Sequence, residues 1–197
     1  MSSIRFISLH HREILTHLDD IGGLRLRVFR DYPYLYDGTL NDERHYLATY
    51  AEAPSSLVVL AYEGEQPVGA TTCVRMSEGD ASFRACFEDA GHDTADICYL
   101  GESVLLPEWR GQGIGKAFFR YREEHALYLG CRLAAFCAVD RTEDHPMKPP
   151  GYRPLDTFWQ SLGYHRHPEL QATFVWKEVH ESVETPKTLT FWLKPLA

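Results

Sequence analysis

A glycine-rich segment in the middle of the chain has the residue types and spacing needed to hold an anionic ligand. It lies between a strand-like stretch, 97–106, and a helix-like stretch, and it reads Arg110, Gly111, Gln112, Gly113, Ile114, Gly115, Lys116. Backbone amides at a helix start have no partner within the helix and lie at the positive end of its dipole. Glycines let a phosphate approach the main chain, and Arg110 and Lys116 add positive charge. The segment therefore predicts a pyrophosphate site.

Spacing distinguishes the phosphate loops that this segment could form. A P-loop requires glycine and a hydroxyl residue where the sequence has Arg110 and Ala117. A dinucleotide fingerprint requires its third glycine where Lys116 or Phe118 stands. What remains is Arg-x-x-Gly-x-Gly after Leu-Leu-Pro-Glu-Trp, which closely resembles the acyl-CoA pyrophosphate loop of the GNAT family of N-acetyltransferases.

A second segment strengthens this resemblance. Residues 158–164, Phe-Trp-Gln-Ser-Leu-Gly-Tyr, are similar to the segment that ends the family's fourth helix. Between the two segments, 132–139 is an apolar run short enough for a buried strand. The family has there the strand that diverges from its neighbour to admit pantetheine. The resemblance covers roughly 97–164.

The resemblance implies an α+β fold in three layers: a mixed, mostly antiparallel sheet flanked by helices, in a single domain covering 1–197. It implies acetyl-CoA as the acyl donor, with direct transfer to an amine. Main-chain atoms of Val104, Leu105 and Leu106 would contact pantetheine and the thioester, and their side chains could still belong to the core.

Acetyl transfer to an amine requires a base, a donor for the oxyanion and an acid for the thiolate. Glu102 is the candidate base, because burial in an apolar strand moves a carboxyl pKa towards neutrality. Many family members place such a glutamate farther from the loop, nearer Tyr99. A structural role for Glu102, paired with an amide or a cation, is the alternative.

The general acid departs from the family pattern. A tyrosine usually precedes the glycine of the second segment by four residues, but this sequence has Trp159, whose indole cannot protonate a thiolate. Tyr152 is the nearest phenol and is the candidate acid. A packed loop tyrosine, the remoter Cys137 thiol and protonation by solvent are the alternatives.

Two loops supply candidates for binding the acceptor. The loop 32–38 contains Tyr34, Tyr36 and Asp37, and aromatic rings beside a carboxylate suit an organic cation. Asp140 follows the strand expected to flank the thioester. Aromatic residues packed on the core and solvated surface charges are the alternatives.

Composition narrows the function classes. The chain has 197 residues and a net charge of -8 without a long basic run, which argues against nucleic acid binding. Five cysteines without a C-x-x-C pair, and histidines without ligand spacing, indicate neither disulfides nor a metal site. No apolar stretch approaches a signal core or the ~20 residues of a membrane helix. A cytoplasmic protein without a membrane partner is expected.

Periodicity and turn residues predict the remaining elements. Strands are expected at 4–8, 56–62, 67–76, 172–179 and 188–193, and helices at 10–18, 22–29, 41–50 and 85–90. Gly22 and Gly23 are expected to break the first helical region. The last strand pair could form a homodimer interface.

Two rivals to an amine acetyltransferase remain. One is a catalytically idle acyl-CoA-binding member of the same fold, which Trp159 favours. The other is a relative that makes acyl-homoserine lactones from acyl carrier protein, and such relatives generally lack the Arg-x-x-Gly-x-Gly loop.

Overall fold

Seven strands form one sheet in the computed structural model, which describes residues 4–197. The strands are β1 (Arg5–Leu9), β2 (Leu57–Glu63), β3 (Gln66–Arg75), β4 (Ile97–Leu105), β5 (Leu133–Val139), β6 (His165–Trp176) and β7 (Thr185–Pro195). The helices are α1 (Leu18–Phe29), α2 (Leu40–Glu52), α3 (Ala81–Asp89), α4 (Ile114–Tyr128) and α5 (Asp156–Ser161). The order across the sheet is β1-β2-β3-β4-β5-β7-β6.

Every strand pair is antiparallel except β4 with β5. The predicted mixed, mostly antiparallel sheet flanked by helices is confirmed. Apolar side chains alternate along β2, so that Val58 and Leu60 enter one core and Val59 and Ala61 enter the other. The first core lies under α1, α2 and α3, and the second lies under α4.

The expected break at Gly22 and Gly23 was wrong, because α1 runs through both residues. A Cβ added to Gly22 would lie 3.0 Å from the Cβ of Glu43 and 3.1 Å from Leu40 Cδ1. The missing side chain therefore allows α1 and α2 to approach closely. This approach brings Arg25, one turn farther along α1, to Glu43 on α2.

Strands β4 and β5 pair over only three residues. Ile97, Cys98 and Tyr99 face Leu133, Ala134 and Ala135, and pairing stops there although both strands continue. The segments 100–105 and 136–139 consequently have no ladder between them. The predicted divergence of these two strands is present, and it leaves a gap inside the sheet.

Within residues 4–197, no helix combines the length and the apolar character needed to cross a bilayer.

The C-terminal half of α4 is attached to the chain before β2 through His125. Its Nε2 donates to the carbonyl oxygen of Ser55 over 2.8 Å. Burial lowers the His125 pKa below its ordinary 6.5, although the bond to Ser55 acts in the opposite direction. The unfolded chain therefore binds more protons than the folded chain as the pH falls below about 6.5, and folding loses stability there.

We expect the free energy of unfolding to fall more steeply between about pH 7 and pH 5 in the native protein than in His125→Gln. Urea unfolding at a series of pH values measures this difference. His45→Gln, which changes an exposed histidine of α2, is the control. Parallel pH curves for native protein and His125→Gln would contradict the expectation.

Candidate active site

The glycine-rich loop lies between the end of β4 and the start of α4. Gly111 and Gly113 have φ angles of 75° and 88°, in the left-handed region that favours glycine. A Cβ added at either position would meet no atom within 4 Å, so the space above both is open. Gly113 caps α4 without any side-chain hydrogen bond. The start of this helix is therefore accessible to a ligand.

The loop presents a row of unpaired donors. In the part of the chain that the structure describes, no group accepts a hydrogen bond from the six successive amides of Gly111–Lys116. Arg110 and Lys116 are exposed beside them. Arg110 Nε bonds the carbonyl oxygen of Leu105 at 3.2 Å, and Gln112 Nε2 bonds that of Glu108 at 3.1 Å. These amides and two cations suit a pyrophosphate.

The loop adjoins the gap between β4 and β5. Val104 and Leu106 are buried, and the strand also pairs with β3 on its other side. The amide of Leu106 donates to the carbonyl oxygen of Val68, and its own carbonyl oxygen accepts from Trp109. The main-chain polar atoms of Leu106 are thus already bonded. The predicted contacts of Val104, Leu105 and Leu106 with a thioester stay predictions.

A bulge in β4 determines where Glu102 points. Thr71 pairs with Ser103 and Cys73 with Leu100, so Gly101 and Glu102 together face the single residue Thr72. The Thr72 hydroxyl accepts from the Glu102 amide at 3.2 Å. A bulge shifts the alternation of side chains along a strand. Glu102 consequently faces α1 and α2.

Glu102 has one bonded and one unbonded carboxylate oxygen. Its Oε2 lies 2.8 Å from Arg25 Nη1 and accepts from the Tyr46 hydroxyl at 3.1 Å. Its Oε1 is buried without a hydrogen-bond partner among the described residues. Both the expected cation pairing and a free acceptor oxygen are therefore found on the same side chain.

Arg25 also contacts a second buried carboxylate. Its Nε donates to Glu43 Oε2, and its guanidinium lies over the rings of Tyr46 and Phe29, at 4.4 Å and 5.0 Å from their centroids. Burial alone would lower the Arg25 pKa, but the charges of Glu102 and Glu43 outweigh it and raise the pKa. Arg25 stays charged between two carboxylates.

Tyr152 belongs to an aromatic group at the side of the loop. Its ring meets Tyr32 edge-on at 4.7 Å between centroids, and Tyr32 lies 5.5 Å from His145. Burial raises the pKa of Tyr152, and the charge of Arg110 opposes this rise. Tyr152 therefore lies close enough to Arg110, at the start of the glycine-rich loop, to be affected by its charge.

Tyr34 packs between the end of α1 and the end of β6. Its ring contacts Phe29 and Trp176, with centroids 4.6 Å and 6.1 Å away. Burial raises the pKa of Tyr34, and the backbone amide of Val139 acts in the opposite direction. The Tyr34 hydroxyl is thus near the end of β5, where the gap in the sheet opens.

The other predicted acceptor residues make bonds within the protein. Asp37 pairs with Lys177 at 2.7 Å and with Arg30 at 2.9 Å, and these hydrogen bonds lower its pKa. Asp140 pairs with Arg166 at 2.7 Å and accepts from Thr190 at 2.7 Å. Tyr36 forms an isolated antiparallel bridge with Glu178. The structure does not bring Asp37 and Asp140 to Glu102.

Trp159 lies on the opposite face of the sheet from Glu102. Its ring packs against Phe136 and Trp192, with centroids 5.0 Å and 5.1 Å away, in the core under α4. An aromatic packing role accounts for its size and position.

The cluster Glu178, His180 and Glu181 has ligand atoms within 4.8 Å of one another. Arg141 lies 2.6 Å from Glu178, and Lys187 lies 3.0 Å from Glu181. Two cations already neutralise these carboxylates, so we assign no metal to them.

Sequence reasoning missed Arg25, Glu43 and Tyr46. One signal was available: Glu43, Leu47 and Tyr50 recur on one face of α2, and all three are buried. An acidic residue on the apolar face of a helix requires a partner. That partner, Arg25, belongs to another helix.

Comparisons with known proteins agree with this geometry. A sequence model described as the acetyltransferase (GNAT) family matches residues 24–148. No curated protein matches the sequence. The structure is similar to that of an N-acetyltransferase of Staphylococcus aureus Mu50, with a TM-score of 0.64 and 12% identity, covering 100% of both chains.

Two further solved structures are similar. The yncA protein of Salmonella typhimurium, determined with its cofactor acetyl-CoA, has a TM-score of 0.62 and 13% identity and covers 98% of this chain and 94% of its own. Ribosomal-protein-alanine N-acetyltransferase of Brucella melitensis has a TM-score of 0.62 and 14% identity, and the match covers 96% of this chain and 99% of its own. At these identities the likeness shows the fold. Since the sequence model spans more than half of its residues, the chain belongs to the acetyltransferase (GNAT) family.

Proposed function

We propose that this protein transfers the acetyl group of acetyl-CoA directly to a primary amine of a small molecule or a peptide. One observation carries the proposal: six amides that are unpaired within residues 4–197 lie at the start of α4, beside a gap in the sheet. The amides and Arg110 match a pyrophosphate, and the gap matches an extended chain leading from it. The Salmonella relative, which contains acetyl-CoA, supports the same donor.

Acetyl-CoA supplies an activated acetyl group as a thioester. The amine nitrogen forms a bond to the thioester carbonyl carbon, the bond from that carbon to sulfur breaks, and the thiolate leaves. The attacking nitrogen must lose a proton during this step. The free oxygen of Glu102, Oε1, is the described group best suited to receive it, because it is buried and has no other partner.

Tyr46 helps to orient this carboxylate. Its hydroxyl donates to Glu102 Oε2, and the residue is 37% exposed. The hydroxyl already carries its own proton, so it holds Oε2 and leaves Oε1 to take the proton of the amine. The amine itself can approach from the same side, because α2 presents Tyr46 there.

The departing thiolate needs a proton, and Tyr152 is our candidate donor. We expect Tyr152→Phe to lower kcat by about tenfold, less than the 100-fold or more of many general acids, since a thiol of pKa ~8.5 is a good leaving group. Steady-state kinetics measure this effect, and calorimetry checks that affinity for acetyl-CoA is kept. Tyr128→Phe, at a position 85% exposed, is the control. An unchanged kcat would mean that solvent protonates the thiolate.

Calorimetric titration with acetyl-CoA and with CoA tests the donor, and release of CoA across a panel of amines tests the reaction. Saturable binding together with CoA release supports an acetyltransferase. Binding without release on any amine favours the idle acyl-CoA-binding protein, for which Trp159 is the specific argument. Absence of binding overturns both functions.

The cellular location and the oligomeric state of the protein stay predictions. A cytoplasmic location and a homodimer are expected from the sequence, and β6 lies at one edge of the sheet. Sedimentation at several protein concentrations measures the oligomeric state.

A further inference from the structure

Arg25 and Glu43 are buried charged side chains that lie next to Glu102 or to each other. We propose that Arg25, itself held by Glu43, is a positioning residue that fixes Glu102 Oε2 and leaves Oε1 free to receive the proton of the acceptor amine. This inference rests on the proposed acetyl transfer and adds two residues, on α1 and α2, to the machinery of that reaction.

The first argument is the balance of charge. The side chains of Arg25, Glu43 and Glu102 are 12%, 1% and 4% exposed. One guanidinium faces two carboxylates, so ionised side chains give the cluster one uncompensated negative charge. A buried charge without a partner is costly in free energy. The unbonded atom is Glu102 Oε1, so a cation arriving there would complete the cluster.

The second argument is the asymmetry of the two carboxylate oxygens. Oε2 is paired with the Arg25 guanidinium and accepts a hydrogen bond from the Tyr46 hydroxyl, while Oε1 has no partner among residues 4–197. The main chain of Glu102 is held as well, by the hydroxyls of Thr71 and Thr72 on β3. The side chain is therefore fixed at one oxygen and available at the other.

The third argument is how firmly Arg25 is held. Gly22 permits the close approach of α1 and α2 that brings Arg25 to Glu43. The rings of Tyr46 and Phe29 lie beside the guanidinium. Such a contact orients a cation more firmly than a pair of flexible exposed charges would. Positioning of Glu102 thus depends on contacts between two helices.

The charges that face Glu102 act on it in opposite directions. Arg25 favours the ionised carboxylate, and Glu43 disfavours it because a second negative charge lies nearby. Tyr36, whose side chain is hydrogen-bonded to Glu43, is a further titratable neighbour of this cluster. The others are Tyr46 and Tyr50, whose hydroxyls lie 3.1 Å apart. Burial and the charge of Glu102 raise the pKa of both tyrosines, which keeps them neutral. Removal of Arg25 and removal of Glu43 should therefore change the ionisation of Glu102 in opposite directions.

The test compares Arg25→Met with Glu43→Gln. Carbon-13 NMR of protein labelled at glutamate carboxyls follows the Glu102 signal, which is assigned by its loss in Glu102→Gln. The pH dependence of kcat/KM is measured in parallel. We expect Arg25→Met to move the Glu102 midpoint up by about 1 to 3 pH units, and Glu43→Gln to move it down by up to about 1 unit. The acidic limb of the rate profile should move with each midpoint.

Two further variants separate positioning from a general loss of stability. Arg25→Lys keeps the positive charge and should restore the midpoint to within about 1 unit of the native value, with kcat recovering less because the forked contact is lost. Lys194→Met removes a different ion pair, to Glu123 at 2.8 Å, and should move neither the midpoint nor the rate profile. Should Arg25→Met not fold, two results still test the inference: a lowered kcat with a near-native midpoint in Arg25→Lys, and a downward shift of the midpoint in Glu43→Gln.

Midpoints that stay fixed, or that move in the same direction in Arg25→Met and Glu43→Gln, would overturn the inference. The NMR titration needs no turnover, so it is separable from the proposed function. The native protein could acetylate no amine while the two variants still shift the Glu102 midpoint in opposite directions. That result would contradict the proposed function and would show that both residues set the charge of Glu102. Normal catalysis with unmoved midpoints would contradict only the role of Arg25 and Glu43.

Discussion

Replacement of Gly113 by glutamate is expected to abolish the binding of acetyl-CoA. The new carboxylate would stand among the amides that start α4, where a pyrophosphate needs them. Loss of two hydrogen bonds to a charged group costs about 3 to 6 kcal/mol, which weakens affinity by a factor of about 100 or more. Calorimetric titration of acetyl-CoA into native and Gly113→Glu protein measures the loss.

A matched control is available at the other end of the same helix. Gly130 has a φ angle of 75°, near the 88° of Gly113, and a Cβ at either position would meet no atom within 4 Å. Gly130→Glu therefore introduces the same charge and comparable backbone strain away from the loop. It should bind acetyl-CoA with native affinity. Native affinity in Gly113→Glu would show that the loop holds no pyrophosphate.

The second large effect is expected at Glu102. Glu102→Gln removes the proposed base, and general base catalysis contributes about 100-fold to 10,000-fold to a rate. We expect kcat to fall by a factor in that range while affinity for acetyl-CoA is unchanged. The loss should be greatest at low pH and smaller at high pH, where more of the amine is already deprotonated in solution. Rate profiles against pH on one amine measure both features.

Glu124→Gln is the control for this variant, because Glu124 lies on the exposed side of α4, 4.0 Å from Arg120. It should leave the rate profile unchanged. If Glu102→Gln alters stability but not the rate or its dependence on pH, then Glu102 serves the fold and another group accepts the proton.

The sequence contained most of the information about the cofactor side of the site. The loop is local, since its glycines, its basic residues and the start of α4 all lie within 110–116. Local spacing therefore predicted a loop open to a ligand and the helix that follows, and the structure adds that Gly111 and Gly113 are left-handed. The divergence of β4 and β5 came from resemblance to the family, because no residue pattern marks where two strands stop pairing.

The acceptor side depends on contacts that no local pattern shows. Asp37 is bonded to Lys177, 140 residues later in the chain, and Asp140 is bonded to Arg166. From the sequence, both were candidates for binding the acceptor. The bulge that turns Glu102 towards α1 and α2 also depends on pairing with β3. Partners from distant elements thus decide which acidic side chain remains available.

The divided sheet has a further consequence. Counted by main-chain hydrogen bonds, it is two smaller sheets, β1–β4 and β5–β7, that meet over three residue pairs. An extended ligand lying in the gap would act as a short extra strand that joins them. Its binding energy would then add to the cohesion of the whole protein, since a ligand that binds only the folded state stabilises it. The seam between the two halves has the fewest paired residues of any neighbouring strands in the sheet, so a ligand bound there would add contacts where the sheet has least pairing.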